Sequence, residues 1–64
     1  MTSRECFTKI YNNIKADKLK KSGYDFLYRI LRRTHTKEQF DEFITKVKNN
    51  EVTLEEFLKT FNIK

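Results

Sequence analysis

The stretch that decides the fold is residues 22–34, SGYDFLYRILRRT. At about 100° per residue of an α-helix, its apolar side chains fall on one broad arc, and Asp25, Arg29 and Arg32 point away from that arc. The stretch therefore predicts a helix over about residues 23–34, with Ser22 as its N-cap. We expect this helix to be the central element against which the others pack, with an inward face made of Tyr24, Phe26, Leu27, Ile30 and Leu31.

Three further helices are predicted from capping boxes, in which a threonine and an acid or amide three residues later bond each other's backbone N–H. The boxes are Thr2-x-x-Glu5, Thr36-x-x-Gln39 and Thr53-x-x-Glu56. They predict helices over about residues 3–16, 37–49 and 54–62. Apolar residues three and four apart then supply the inward faces: Cys6, Phe7, Ile10 and Ile14; Phe40, Phe43, Ile44 and Val47; Leu54, Phe57, Leu58 and Phe61.

Three places in the sequence indicate where helices begin or end. Leu19 would face water if the first helix continued, so we expect that helix to kink or end between Asn12 and Lys18, or to unwind so that Leu19 tucks under. Gly23 follows Ser22 and is expected to supply a turn. Asn49 and Asn50 favour an end to the third helix, because asparagine tolerates the left-handed conformation that closes a helix.

The length of 64 residues indicates a single domain, residues 1–64. The sequence predicts an all-α fold, a small bundle of three to four helices with short connections. An extended helical hairpin that completes its core against a partner is the competing architecture. No signal peptide or membrane-spanning stretch is recognised, and the single cysteine, Cys6, cannot form an internal disulfide, so we expect a reducing, cytoplasmic setting.

The sequence offers few groups for catalysis, and we predict that the protein is not an enzyme. His35 lies between two threonines with Glu38 as its only local orienting acid, and Cys6 lies in an apolar stripe where cysteine is usually part of the core. One cysteine and one histidine cannot make a structural zinc site, and no glycine-rich phosphate loop is present. We therefore expect no metal, no cofactor and no small-molecule substrate.

Charge is the feature that points to a function. The net charge is +5, and residues 15–37 hold eight basic residues against only Asp17 and Asp25. Clustered cations attract polyanions by neutralising phosphates and releasing counterions, and an aromatic ring beside arginine suits stacking. The residues predicted to contact nucleic acid are Lys15, Lys18, Lys20, Lys21, Tyr28, Arg29, Arg32, Arg33 and Lys37.

The sequence thus predicts a non-catalytic module that contacts the nucleic-acid backbone as a subunit of a nucleoprotein complex, with RNA and DNA both open. Base reading by the last helix is disfavoured, because Glu55 and Glu56 would meet phosphate in its first turn. Membrane binding is disfavoured because the apolar faces are committed to packing. The alternative is a protein-binding adaptor or inhibitor that docks on an acidic partner surface through basic residues and the aromatic residues Phe7, Tyr11, Phe57 and Phe61.

Overall fold

Four helices make up the fold: α1 (Ser3–Lys15), α2 (Lys21–Leu31), α3 (Lys37–Lys48) and α4 (Leu54–Thr60). The structure is a computed structural model that describes residues 2–63, so the first and last residues of the predicted 1–64 domain lie outside the described part. No strand occurs within residues 2–63, and the predicted all-α class is confirmed. Each of the three connections has five residues, as expected for a bundle of short helices.

Three helices begin at the predicted threonines. The hydroxyls of Thr2, Thr36 and Thr53 each accept the backbone N–H three residues later at 3.2 Å. Only the second box is complete, because the Thr36 N–H also donates to Gln39 Oε1 at 2.9 Å. In the third box the Thr53 hydroxyl lies 3.2 Å from Glu56 Oε1 instead. The bond from the threonine hydroxyl is therefore the feature that the three helix starts share.

The same three helices end in the same way, with a residue in the left-handed conformation. The φ angles there are 57° at Asp17, 61° at Asn50 and 58° at Asn62. After each of them, a backbone N–H turns back to a carbonyl of the last helical turn, as in the Schellman motif. These bonds run from Lys18 to Asn13 at 2.8 Å, from Glu51 to Lys46 at 2.9 Å and from Ile63 to Leu58 at 2.9 Å.

The predicted start of α2 is wrong. The helix begins at Lys21 with Lys20 as an N-cap that has no side-chain hydrogen bond, and Ser22 and Gly23 lie inside its first turn. Gly23 allows Leu19 to pack closely over it, because a Cβ there would lie 2.6 Å from Leu19 Cδ1 and the leucine side chain would have to shift. The half-buried Leu19 packs against the core, so the predicted break before it is confirmed.

The helices pack around a core rich in aromatic rings, and α1 is its central element. α1 contacts both α3 and α4, whereas α2 packs mainly against α3, so the prediction that the second helix is central is wrong. The Tyr11 hydroxyl donates to the Val52 carbonyl at 2.6 Å and ties α1 to the α3–α4 connection. The buried side chains are Phe7, Tyr11, Ile14, Leu27, Leu31, Phe40, Ile44, Val47, Val52, Phe57, Leu58 and Phe61.

The helices of the chain close this core among themselves. The architecture is therefore the predicted bundle and not the extended hairpin. The radius of gyration is 10.7 Å, close to the roughly 11 Å expected of a compact chain of this length. No helix in the described residues is long and apolar enough to cross a bilayer.

The inward face predicted for α2 is only partly correct. Leu27 and Leu31 are buried, but Phe26 is 46% exposed and Ile30 is 39% exposed. Tyr24 and Phe26 stand about 160° apart on the helix, too wide an arc for a helix packed mainly against one neighbour to bury. The buried face of α1 also differs from the predicted one. Tyr11 is buried, while Cys6 and Ile10 are only partly buried.

Candidate nucleic-acid interface

The nine predicted site residues lie on α2 and the two connections that flank it. Lys15 ends α1, Lys18 and Lys20 lie in the α1–α2 connection, and Lys21 opens α2. Arg29, Arg32 and Arg33 follow in the last turn of α2 and the turn after it, and Lys37 opens α3. All eight cations are exposed, whereas Tyr28 is half-buried. We call the eight cations the basic surface.

The helix geometry of α2 aligns part of the basic surface along one side. Lys21, Arg29 and Arg32 lie within about 80° of one another, on the side away from the buried Leu27. Asp25, the one acidic residue of α2, lies on the same side of the helix. The 11 residues of α2 rise over about 16 Å, a length along which one strand of B-DNA carries about five phosphates. The cations at the two ends of α2 can therefore contact phosphates several nucleotides apart.

No cation of the basic surface forms an ion pair within residues 2–63. The ion pairs there are Arg4–Glu55 at 2.8 Å, Lys46–Glu42 at 3.7 Å and Lys48–Asp17 at 3.2 Å. Two of the acids of α3 and α4 thus pair with cations outside the predicted site. Asp17, one of only two acids in residues 15–37, is neutralised by Lys48 from α3.

Two neighbouring groups favour the charged form of Lys48. The hydroxyl of Tyr24, and then the carboxylate of Asp17, raise the pKa of Lys48 above its ordinary value. Lysine is protonated at neutral pH even at its ordinary pKa, and these two contacts extend that state to higher pH. The sequence does not predict the ion pair between Lys48 and Asp17. The two residues are 31 positions apart, and only the packing of α3 brings them together.

Two predicted residues are engaged within the fold. Lys15 Nζ lies 5.4 Å from the centroid of the Tyr11 ring, a cation–π distance on its own helix. The Tyr28 ring packs against Phe40, with centroids 5.3 Å apart, and stabilises the α2–α3 contact. Only part of Tyr28 is therefore exposed, whereas the arginines and the lysines of the α1–α2 connection are exposed without such a contact.

The aromatic residues predicted to dock on a partner protein are not available for it. Phe57 is fully buried, and Phe7, Tyr11 and Phe61 are each 6% exposed. Their rings surround Phe57, at centroid distances of 6.5 Å, 5.3 Å and 4.9 Å. The adaptor hypothesis in that form is therefore wrong, because these residues build the core.

The two side chains considered for catalysis lie on different elements, Cys6 on α1 and His35 in the α2–α3 connection. His35 Nδ1 lies 2.8 Å from the hydroxyl of the neighbouring Thr34. Cys6 is partly buried on α1. Within the part of the chain that the structure describes, no three His, Cys, Asp or Glu side chains come close enough together to hold a metal ion.

No protein-family model, curated protein or solved structure matches this chain. The described residues provide eight exposed cations between positions 15 and 37, none of them in an ion pair within residues 2–63, and three of them lie along one side of α2.

Proposed function

We propose that this protein is a small helical module without catalytic activity that contacts the nucleic-acid backbone through the basic surface, as a subunit of a nucleoprotein complex. The observation that carries the proposal is the exposure of eight cations within residues 15–37, with no carboxylate paired to them within residues 2–63. Such cations neutralise phosphates and release counterions, which favours binding whatever the base sequence.

The contacts proposed are to phosphates and not to base edges. α4 begins with Glu55 and Glu56, which repel a phosphate backbone, so α3 and α4 do not act as a helix-turn-helix reader. Arginine and lysine contacts to phosphate fix position without reading sequence. The module is therefore proposed to bind RNA or DNA of any sequence, and to receive its specificity from the complex in which it works.

We place the module in the reducing cytoplasm. Cys6 is the single cysteine and is a free thiol, which suits a compartment where disulfides do not form. Neither a cofactor nor a metal has a part in phosphate contact of this kind.

The proposal is tested by reversing three charges of the basic surface. The variant Arg29→Glu, Arg32→Glu, Arg33→Glu should keep the helical circular dichroism of the parent, because all three side chains are exposed. Its binding to a labelled 20-nucleotide RNA or DNA, single- or double-stranded, should be abolished in a gel-shift assay at low salt. A parent protein that shifts none of these oligonucleotides would end the proposal.

A matched control separates position from net charge. The variant Lys9→Glu, Lys46→Glu, Lys59→Glu changes the net charge by the same amount at exposed positions outside the basic surface. It should keep most of the parent's affinity. Equal losses of affinity in the two variants would mean that net charge alone governs binding.

The affinity of the parent protein should also depend on salt. It should fall by about 10³-fold or more between roughly 50 and 200 mM salt if six or more cations meet phosphates.

A further inference from the structure

Phe26 and Ile30 form an exposed apolar strip on α2. They are 46% and 39% exposed, and no other large apolar side chain among the described residues is as open. Because they are four positions apart, they lie one above the other along the helix. We call this pair the α2 strip. The Phe26 ring also touches Phe7 of α1, at a centroid distance of 5.9 Å, so the strip joins the core at one edge.

Cations border the α2 strip. Arg29 is three positions after Phe26 on α2 and lies beside it, and Arg33 is three positions after Ile30, in the turn that follows the helix. An apolar centre with arginine at its edge is the composition of a protein interface, in which aromatic and arginine side chains carry most of the binding energy.

We infer that the α2 strip is a docking site for an acidic amphipathic helix of another protein. The apolar face of such a helix, with residues three and four apart, would cover Phe26 and Ile30. Its carboxylates would meet Arg29 and Arg33, whose planar guanidinium groups suit paired hydrogen bonds to carboxylate. This inference goes beyond the contact with nucleic acid and uses two side chains that phosphate binding does not need.

Charge argues against a second copy of this chain as the occupant. A two-fold axis between Phe26 and Ile30 would bring the two Arg29 side chains together, and like charges at an interface are unfavourable. The accessible area of two half-exposed side chains is also far smaller than the roughly 800 Å² that each partner of a stable complex buries. A short helix bound weakly or transiently fits this area better.

The chemistry of the strip argues against a nucleic-acid base. Bases stack on aromatic rings, and Ile30 has no π face to offer. The Phe26 ring is already packed on one side by Phe7. An apolar helix face suits both residues equally, and we therefore argue for a protein helix.

The experiment titrates the isotope-labelled full chain with synthetic helical peptides of about 15 residues. The peptides carry two leucines three or four positions apart, flanked by glutamates. One control set has serine in place of the leucines, and another has lysine in place of the glutamates. We expect chemical-shift changes centred on the Phe26 and Ile30 amides, and no comparable change with either control set.

Variants of the chain then locate the binding energy. Ile30→Ala should weaken peptide binding by about tenfold or more, and α2 should stay folded because alanine favours a helix. Arg29→Gln should also weaken it. Arg32→Gln is the matched control, since Arg32 lies about 120° from Phe26 around the helix and should have little effect.

Several outcomes would overturn the inference. Shifts centred on the lysines of the α1–α2 connection, unchanged by Ile30→Ala, would show charge attraction only. Concentration-dependent shifts at Phe26 without peptide would assign the strip to a second copy. No peptide binding, together with weaker oligonucleotide binding by Ile30→Ala, would assign it to nucleic acid. Ile30→Ala keeps all eight cations, so failure of peptide docking leaves the phosphate proposal intact.

Discussion

At the scale of single residues, the bond between Tyr11 and Val52 connects distant parts of the chain. The Tyr11 hydroxyl is buried and donates to the Val52 carbonyl at 2.6 Å, across 41 positions of sequence. Tyr11→Phe removes the donor and leaves that buried carbonyl without it, so we expect a loss of about 1–3 kcal/mol in the free energy of unfolding. Urea denaturation followed by circular dichroism measures this.

Tyr28→Phe is the control for this prediction, because Tyr28 is only half-buried and its ring packs on Phe40 without needing the hydroxyl. We expect it to change the free energy of unfolding by less than about 0.5 kcal/mol. Equal losses in the two variants would show that the Tyr11 hydroxyl bond adds nothing specific to stability.

At the scale of elements, the orientation of α2 decides which of its apolar residues support the fold. Leu27 is fully buried and Ile30 is 39% exposed, although both belong to the same apolar arc. Leu27→Ala should cost about 2–5 kcal/mol, comparable to the whole stability of so small a domain. Ile30→Ala should cost less than about 1 kcal/mol. Thermal melts of the two variants compare them directly, and similar losses would mean that α2 is rotated about its axis.

The contrast among the helices shows what local sequence could predict. The starts of α1, α3 and α4 were predicted because each depends on a threonine and the backbone three residues away. The start of α2 was not, because Lys20 caps it without a side-chain bond and Gly23 is there for the packing of Leu19. Likewise, periodicity identifies an apolar arc, but tertiary neighbours decide which part of it is covered, and Phe26 was left open.

The basic surface likewise has one property that the sequence predicts and another that only the packing of the helices determines. Its cations could be counted along the chain, since charged side chains of this kind stay exposed wherever the helices pack. Their lack of acidic partners within residues 2–63 could not be predicted, because the pairing of Asp17 with Lys48 depends on how α3 sits beside the α1–α2 connection.

At the scale of the whole molecule, the concentrated charge should make stability depend on salt. The net charge is +5, and the eight cations of the basic surface repel one another in the folded state. Added salt screens that repulsion, so we expect the Tm to rise by a few degrees between about 20 and 200 mM NaCl. Thermal melts by circular dichroism test this.

The variant with glutamate at positions 29, 32 and 33 is the control for the salt prediction, since it reduces the repulsion among these cations and should show a flatter response. A Tm that falls with salt in the parent would mean that the three exposed ion pairs outweigh the repulsion.

The packing of Leu19 over Gly23 has a consequence for the connection that carries Lys18 and Lys20. Leu19 is partly buried between these two exposed lysines, so the middle of the connection is pinned to the helical body. A pinned backbone has already lost most of the conformational freedom that a loose loop would lose on meeting a ligand. The backbone that carries the two lysines is thereby preorganised, so in the proposed contact with a polyanion only their side chains would remain to be ordered.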